Sequence, residues 1–325
     1  MRTQILYIFV FVLKKIISSV LPLVLFVYII FFSNQFSLNL SNDQSEALFF
    51  LVKIYLISSL LCFVVGELFK NYSQVDKMWS LIPIFYVWYF AYSAEFKPRM
   101  LLMAVLVSFW GIRLTYNFAR KGGYNKYFWL GEEDYRWKQL KIELPILKKR
   151  LYWGLFNLFF ICLYQMGLIF LTTLPILVAW QGENEINTID FLIGFLMLLF
   201  IITEAISDNQ QFIFQTKKKY LIKKNLELKN DFKRGFISTG LWSISRHPNF
   251  ASEQMIWVVF YLFSINATGD ILNWSIIGCI LLVILFRNSA NFSESISKKK
   301  YPDYLNYQKN VPMFFGLSNS NWKKD

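Results

Sequence analysis

The sequence predicts an all-α fold: a multi-pass integral membrane helical bundle with about eight transmembrane helices. Three observations carry that prediction. The 325-residue chain is 55% hydrophobic, with mean hydropathy +0.38, above the roughly 45–50% apolar content of a soluble domain. The apolar excess falls in blocks of roughly 17–25 residues, the length a helix needs to cross the hydrocarbon core. The loops between these blocks alternate between acidic and basic, as the loops of a polytopic membrane protein do.

The blocks place eight spans at 16–33, 47–66, 78–94, 100–119, 151–180, 190–213, 250–266 and 272–287. The basic start MRTQILYIFVFVLKK runs into the first apolar block without a small-residue cleavage site, so the segment reads as a retained anchor and not a signal peptide. The fifth block is long for one crossing and contains Pro175, which predicts a kink or a tilt.

Loop charges then set the sidedness. Loop 34–46 carries Asp43 and Glu46 and no basic residue, and loop 181–190 carries Glu183, Glu185 and Asp190 and no basic residue. Loop 120–150 has nine Lys/Arg against four acids, and loop 208–249 has nine against three. With eight crossings the acidic loops share one side, and the basic loops share the other with the lysine-bearing tail. The positive-inside rule puts both termini in the cytoplasm, in the endoplasmic reticulum membrane if the cell is eukaryotic. Lys97 and Arg99 in loop 95–99 are the exception. The chain reads as a single membrane domain, 1–325, with loops too short to build a soluble one.

The net charge of +13 is explained by these cytoplasmic loops, with anionic lipid or an anionic ligand as a second contribution, and not by nucleic acid. The single histidine, His247, excludes a multi-histidine metal centre. Cys62, Cys162 and Cys279 match no metal spacing and read as buried small hydrophobes.

Ionisable residues at span depth are expensive and mark functional candidates. Three pairs lie four residues apart at the predicted cytoplasmic ends of three spans: Arg113 and Asn117, Glu204 and Asp208, Asn249 and Glu253. Helical neighbours at that spacing share a face, so three helices each present a polar pair at one depth. A single pair is explained as well by a helix cap or a snorkelling group; three at one face are not. Glu204 and Asp208 repel each other, so they need partners, which Arg113, Arg136 or Arg246 could supply. In SRHPNF, Ser245 or Asn249 can cap a helix and Pro248 suits its first turn. Arg246 and His247 then stand at a helix N-terminus, where anions are favoured; His247 suits a structural role as well as a catalytic one. Loop 122–137 carries glycines, aromatics and the Asp134/Arg136 pair, but no GxGxxG or P-loop. Any nucleotide must therefore be bound between membrane helices.

These elements in order resemble the membrane-embedded steroid 5α-reductase-like superfamily, and within it the multi-pass branch grouped with 3-oxo-5α-steroid 4-dehydrogenases. The matching stretches are VDKMWS at 75–80, WGIRLTYN at 110–117, GEEDYRW at 131–137, EAISDNQQF at 204–212, SRHPNFASE at 245–253 and the tail from Glu294 to Tyr307. The resemblance implies an N-terminal part, 1–119, on the lipid-substrate side and a C-terminal part, 120–325, that binds NADPH from the cytosol. It implies cofactor contacts from Arg113, Asn117, Asp134, Arg136, Glu204, Asp208, Arg246, His247, Asn249, Glu253, Tyr304 and Tyr307, and no metal. The chain reads Phe250-Ala251-Ser252 where the superfamily often has Tyr-Phe-Gly.

The reaction implied is reduction of a carbon–carbon double bond in a sterol-, polyprenol- or fatty-acyl-like substrate. An acid and a tyrosine of the early helices would serve as proton donor, with Glu67, Asp76 and Tyr86 as candidates and Tyr89 and Tyr92 as further tyrosines. Because the same superfamily holds isoprenylcysteine and phospholipid methyltransferases, the rival expectation is a methyltransferase using S-adenosylmethionine. A non-catalytic lipid-binding protein is the third.

Overall fold

The computed structural model describes residues 38–319, and among them every regular element is helical. The predicted first span, 16–33, lies outside the described residues. Five described helices are long and apolar enough to cross a membrane.

Helix α1 (Asn42–Phe69) begins at a capping box: Ser41 Oγ accepts from Gln44 N, and Gln44 Oε1 accepts from Ser41 N. It ends at Lys70 in the left-handed region, φ 55°. The predicted span 78–94 departs from expectation. It divides into α2 (Gln74–Met78) and α3 (Ile82–Ser93) around a turn. At 1.5 Å per residue, α3 is about 18 Å long, short of the roughly 30 Å hydrocarbon core. The chain still changes ends over this stretch. Ser80 Oγ lies 2.7 Å from Thr115 Oγ1 near the last turn of α4 (Pro98–Arg120), whereas Arg99 in the first turn of α4 meets Asp190 at the opposite end. Close packing makes this possible: a Cβ on Gly111 would sit 2.6 Å from the Ser80 carbonyl oxygen and 2.7 Å from Ile84 Cδ1, so only glycine lets α4 lie so near that turn.

After α5 (Tyr135–Glu143) the chain enters α6 (Arg150–Gln181), the most deeply buried of the five apolar helices. The predicted irregularity at Pro175 is present: α-helix stops at Thr173 and restarts at Pro175. A second one was not predicted, a π-helical stretch at Asn157–Tyr164, of the kind that recurs at functional sites. Helix α7 (Thr188–Lys223) is capped by Asn187 and Asp190. Its 36 residues extend well past the predicted end at 213 and carry Lys217, Lys218 and Lys219 beyond the apolar part.

A four-residue turn of helix, α8 (Asp231–Arg234), precedes α9 (Pro248–Thr268). Helix α9 is long enough to cross, but it buries Ser252, Glu253, Gln254 and Ser264, and this polarity keeps it out of the five apolar spans. Helix α10 (Ile276–Lys300) extends the predicted 272–287 by more than ten residues, and α11 (Tyr304–Asn310) follows it. A Cβ on Gly278 would fall 2.5 Å from the Leu171 carbonyl oxygen, so α10 packs backbone to backbone on α6.

The outward faces of α1 and α7 expose Ile57, Leu60, Leu61, Phe191, Leu192 and Phe195. Such continuous apolar faces suit lipid and not water. The bundle therefore has the predicted class, an all-α membrane bundle; of the seven predicted spans that fall among the described residues, five are strongly apolar helices long enough to cross, while α3 is short and α9 more polar.

Candidate functional site

The three polar pairs converge. Arg113 of α4 reaches both acids of α7: Nη2 is 2.5 Å from Glu204 Oε2, and Nη1 is 3.0 Å from Asp208 Oδ2. Its Nη2 is also 3.8 Å from Glu253 Oε2 on α9. Asp208 is the centre of the arrangement. Its Oδ2 accepts from Asn117 Nδ2 at 2.7 Å as well as from Arg113, and its Oδ1 accepts from Asn249 Nδ2 at 3.2 Å. Arg120 fixes the Asn117 amide by donating to Asn117 Oδ1 from Nε and Nη2, at 3.0 and 2.8 Å. One carboxylate thus gathers donors from α4 and α9 while sitting on α7. Glu204, Asp208 and Glu253 are each under 5% exposed.

Two site residues were not expected from the sequence. Trp110 Nε1 donates to Glu253 Oε2 at 2.7 Å, and Trp257 Nε1 donates to Glu253 Oε1 at 3.2 Å. The signal was present as spacing, since Trp257 lies four residues after Glu253 and Trp110 three before Arg113, but a tryptophan in an apolar span reads as core. The cluster carries three carboxylates against one guanidinium at contact distance, with Lys121 Nζ 3.9 Å from Asp208 Oδ1. Asn249 Oδ1 and Gln211 Oε1 are buried acceptors that meet no donor.

The structure does not bring the rest of the predicted set to this place. Arg246 is engaged elsewhere: Nε lies 2.6 Å from Glu294 Oε1, and Nη1 donates to the carbonyl oxygens of Gln308, at 3.0 Å, and Val311. His247 Nε2 is 3.0 Å from the same Glu294 oxygen, and its ring stacks on Phe250. The backbone N–H groups of Arg246 and His247 donate to Pro312 and Met313. Arg246 is therefore tied to the tail and not free to meet a phosphate. Tyr304 and Tyr307 pack with Phe236, and the Tyr307 hydroxyl donates to the Trp242 carbonyl. They anchor the tail beside Glu294, a residue noted in the sequence only as the start of the tail motif.

Asp134 and Arg136 form a third group. Asp134 caps α5 by accepting from Arg136 N and also accepts from the Arg136 guanidinium at 2.8 and 2.6 Å. Asp76 faces them from α2. Burial, reinforced by the Asp134 charge and opposed by Arg136, pushes its carboxyl up to about 6, and its Oδ2 meets no donor. Lys77, fully buried, donates to the carbonyls of Phe128 and Leu130 at 2.8 and 2.9 Å, pinning loop 122–137 to this end of the bundle.

Among the early helices, Glu67 accepts from Asn157 Nδ2 at 3.0 Å and pairs with Lys70 at 3.1 Å. Tyr86 is fully buried, lies edge-on to Phe170, and its hydroxyl meets no partner. No hydrogen bond joins Tyr86 to Glu67 or Asp76 among the described residues, so the expected acid–tyrosine pair is not made. Tyr89 stacks on Phe50, and Tyr92 is exposed.

Fold and site together define a polytopic helical membrane protein with an acid-rich polar cluster buried between three helices at one end. The chain belongs to the family described as "Protein of unknown function (DUF1295)", which matches residues 62–311 and so takes in every element of the cluster. It is 35% identical over 288 residues to an uncharacterized protein of Schizosaccharomyces pombe, covering 82% of this chain and 81% of that one. No solved structure matches it.

Proposed function

We propose that this protein is a membrane-bound, steroid 5α-reductase-like enzyme that uses NADPH to reduce a carbon–carbon double bond in a lipophilic substrate. The observation that supports this reading is the convergence of Arg113, Asn117, Glu204, Asp208, Asn249 and Glu253 at the end of the bundle where the basic loops lie. Six of the twelve residues that the resemblance marks for the cofactor thus form one cluster, with an unsatisfied acceptor at Asn249 Oδ1. Buried polar groups left without partners are costly, and a ligand hydroxyl or amide offers the missing donor.

The chemistry of the donor set limits which part of the cofactor fits. Three carboxylates repel a pyrophosphate but suit ribose hydroxyls and a carboxamide, which donate hydrogen bonds. The phosphates need cations, and Arg120 and Lys121 stand at the adjoining end of α4. NADPH, when bound, supplies a hydride to the electron-poor carbon of the substrate. The part left to the chain is to hold the reactants dry and in register, and to meet the charge that builds on the substrate's carbonyl oxygen with a donor. Tyr86, with a free hydroxyl in the apolar interior among the early helices, is the residue we assign to that proton donation.

One observation favours a second reading. An excess of carboxylates over cations also suits the sulfonium of S-adenosylmethionine, so a methyltransferase of a lipid substrate is the alternative. Titrating purified protein with each cofactor separates the two. We expect NADPH to bind and Asn249→Ala to weaken it roughly tenfold, the loss of one hydrogen bond to a ligand in a buried site. Binding of S-adenosylmethionine alone would replace the reductase reading with the methyltransferase one. Binding of neither would leave a non-catalytic lipid-binding protein.

A further inference from the structure

The loop that joins α4 to α5 is built with its backbone inward and its apolar side chains outward. Between Gly123 and Gly131 the chain reads YNKYFWL, with Lys126 its one charged residue. The protein holds this stretch by its carbonyls. Asn71 Nδ2 donates to the Gly131 carbonyl at 2.9 Å, Gln74 Nε2 to that of Trp129 at 2.9 Å, and Lys77 Nζ to those of Phe128 and Leu130. The Tyr124 hydroxyl returns a hydrogen bond to the Lys77 carbonyl at 2.9 Å. At the neck, Glu132 N donates to the Gly122 carbonyl, and a Cβ on Gly131 would fall 2.4 Å from the Gly123 carbonyl oxygen. Four successive carbonyls, 128 to 131, are thus satisfied from residues 71–77. The side chains of the same stretch are left outside: Tyr127, Phe128, Trp129 and Leu130 are 50, 44, 39 and 38% exposed. Adjacent large apolar side chains on a fixed backbone make a patch that water does not suit.

Two ring contacts set the depth of this loop. Trp129 stacks on Phe69, the last residue of α1, with centroids 5.4 Å apart, and Tyr127 stacks on Trp129 at 5.5 Å. Tyr124 meets Phe118, in the last turn of α4, edge-on at 5.3 Å. Both helices are apolar spans. Their outward faces stay apolar to within a turn of these contacts, since Leu68 on α1 and Ile112 and Tyr116 on α4 are exposed. The rings of the loop therefore lie level with the last lipid-facing residues, where hydrocarbon gives way to headgroups. Tyrosine and tryptophan gather at that depth, with the ring in the apolar layer and the O–H or N–H among the headgroups. The acids of the region, Glu132 and Glu133, follow the neck in the chain, and Glu133 accepts from the Tyr72 N–H.

We propose that loop 123–131 is a rigid membrane anchor, lying in the lipid interface at the basic end of the bundle. Its Tyr127, Phe128, Trp129 and Leu130 side chains enter between the headgroups and the first carbons of the acyl chains, and Lys126 meets lipid phosphate. The partner is a lipid surface and not a second protein. A patch raised clear of the bundle would suit a protein, whereas this one adjoins the ends of two lipid-facing helices through Phe69 and Phe118. Because its carbonyls are tied to residues 71–77, the anchor also fixes the depth of α2. The proposal stands on the membrane bundle and does not depend on which ligand the polar cluster takes.

The test places a nitroxide label on the full chain in phosphatidylcholine liposomes at Tyr127→Cys. Leu61→Cys, on the outward face of α1, is the lipid reference, and the exposed Lys224→Cys is the water reference. Cys62, Cys162 and Cys279 are buried, so the introduced thiol takes the label. Collisions of each nitroxide are compared for molecular oxygen, which concentrates in lipid, and for a nickel chelate, which stays in water. The ratio of oxygen to chelate collisions at position 127 should exceed that at 224 severalfold and lie towards that at 61. Tyr127 is half exposed, so the variant should keep the elution volume and melting temperature of wild type, which are measured alongside. A label at 127 that meets the chelate as freely as the one at 224 would place the loop in water and overturn the proposal. A label at 127 shielded from both reagents would mean that protein covers the patch, from a partner or a second copy of the chain, and would overturn it as well.

Discussion

At the scale of single residues, Asp208 holds the polar cluster together. It accepts from Arg113, Asn117 and Asn249, so removing it leaves two amides without their acceptor and Arg113 Nη1 without its carboxylate inside the bundle. Breaking a buried charged network from one side costs about 3–5 kcal/mol. We expect Asp208→Ala to lose much of its thermal stability in detergent, read as a fall in melting temperature. Glu204→Gln should behave differently. It leaves a polar group facing Arg113 and removes one of three crowded negative charges, so the protein should fold with its melting temperature nearly unchanged. If NADPH is the ligand, its affinity should still fall in this variant.

Asp76 gives a pH prediction. Its carboxyl is pushed up to about 6, chiefly by burial, above the ordinary carboxylate value near 3.9. A group whose pKa is raised on folding stabilises the fold while it is protonated in both states. That contribution is complete below about pH 4 and is lost as the pH rises through about 6. Asp76→Asn removes the penalty, so its melting temperature should exceed that of wild type at pH 7.5, and the gap should close towards pH 4. A constant gap across that range would remove Asp76 as the source.

At the scale of elements, the locking of the tail was the least legible feature. SRHPNF was readable as a helix start, and Pro248 does open α9. The sequence could not show that Arg246 and His247 turn away from that helix end to Glu294, 47 residues and more distant in the chain. Periodicity carries no information on such a contact. The three polar pairs were legible because i, i+4 spacing is local and buried charge in an apolar helix is costly; the partners Trp110 and Trp257 were not, because an indole is at home in the core. The short α3 was illegible for a related reason, since hydropathy measures a run of apolar residues and not where the helix breaks within it. Glu294 joins α10 to residues 246–247 and, through Gln308, to α11. We therefore expect Glu294→Ala to release the tail. Limited proteolysis should cut after Lys298, Lys299 or Lys300 in the variant much faster than in wild type, while the rest of the chain stays resistant. Unchanged cleavage would mean that the aromatic packing of Tyr304 and Tyr307 on Phe236 suffices.

At the scale of the whole molecule, the two ends differ in charge, and of the two exceptional residues of loop 95–99 the structure accounts for Arg99, while Lys97 stays exposed. Arg99 sits at the otherwise acidic end, but it is 5% exposed and paired with Asp190 at 2.8 Å, with its other nitrogens donating to the carbonyls of Asn184 and Glu185. It is a buried strut between α4 and α7 and not a topogenic loop charge. The opposite end gathers loop 120–150, the lysines at the end of α7 and those at the end of α10. If the positive-inside rule governs this chain, the polar cluster faces the cytosol, where NADPH is found. Cysteine labelling tests this directly. Cys62, Cys162 and Cys279 are buried, so an introduced thiol should dominate the signal in folded protein without removing the native ones. Glu183 and Lys224 are exposed and lie at opposite ends. In sealed vesicles with the cytosolic face inward a membrane-impermeant maleimide should label Glu183→Cys at once and Lys224→Cys only after permeabilisation. The reverse order would turn the molecule over and place the cluster on the non-cytosolic side, where NADPH could not reach it, and the reductase reading would fall with the topology.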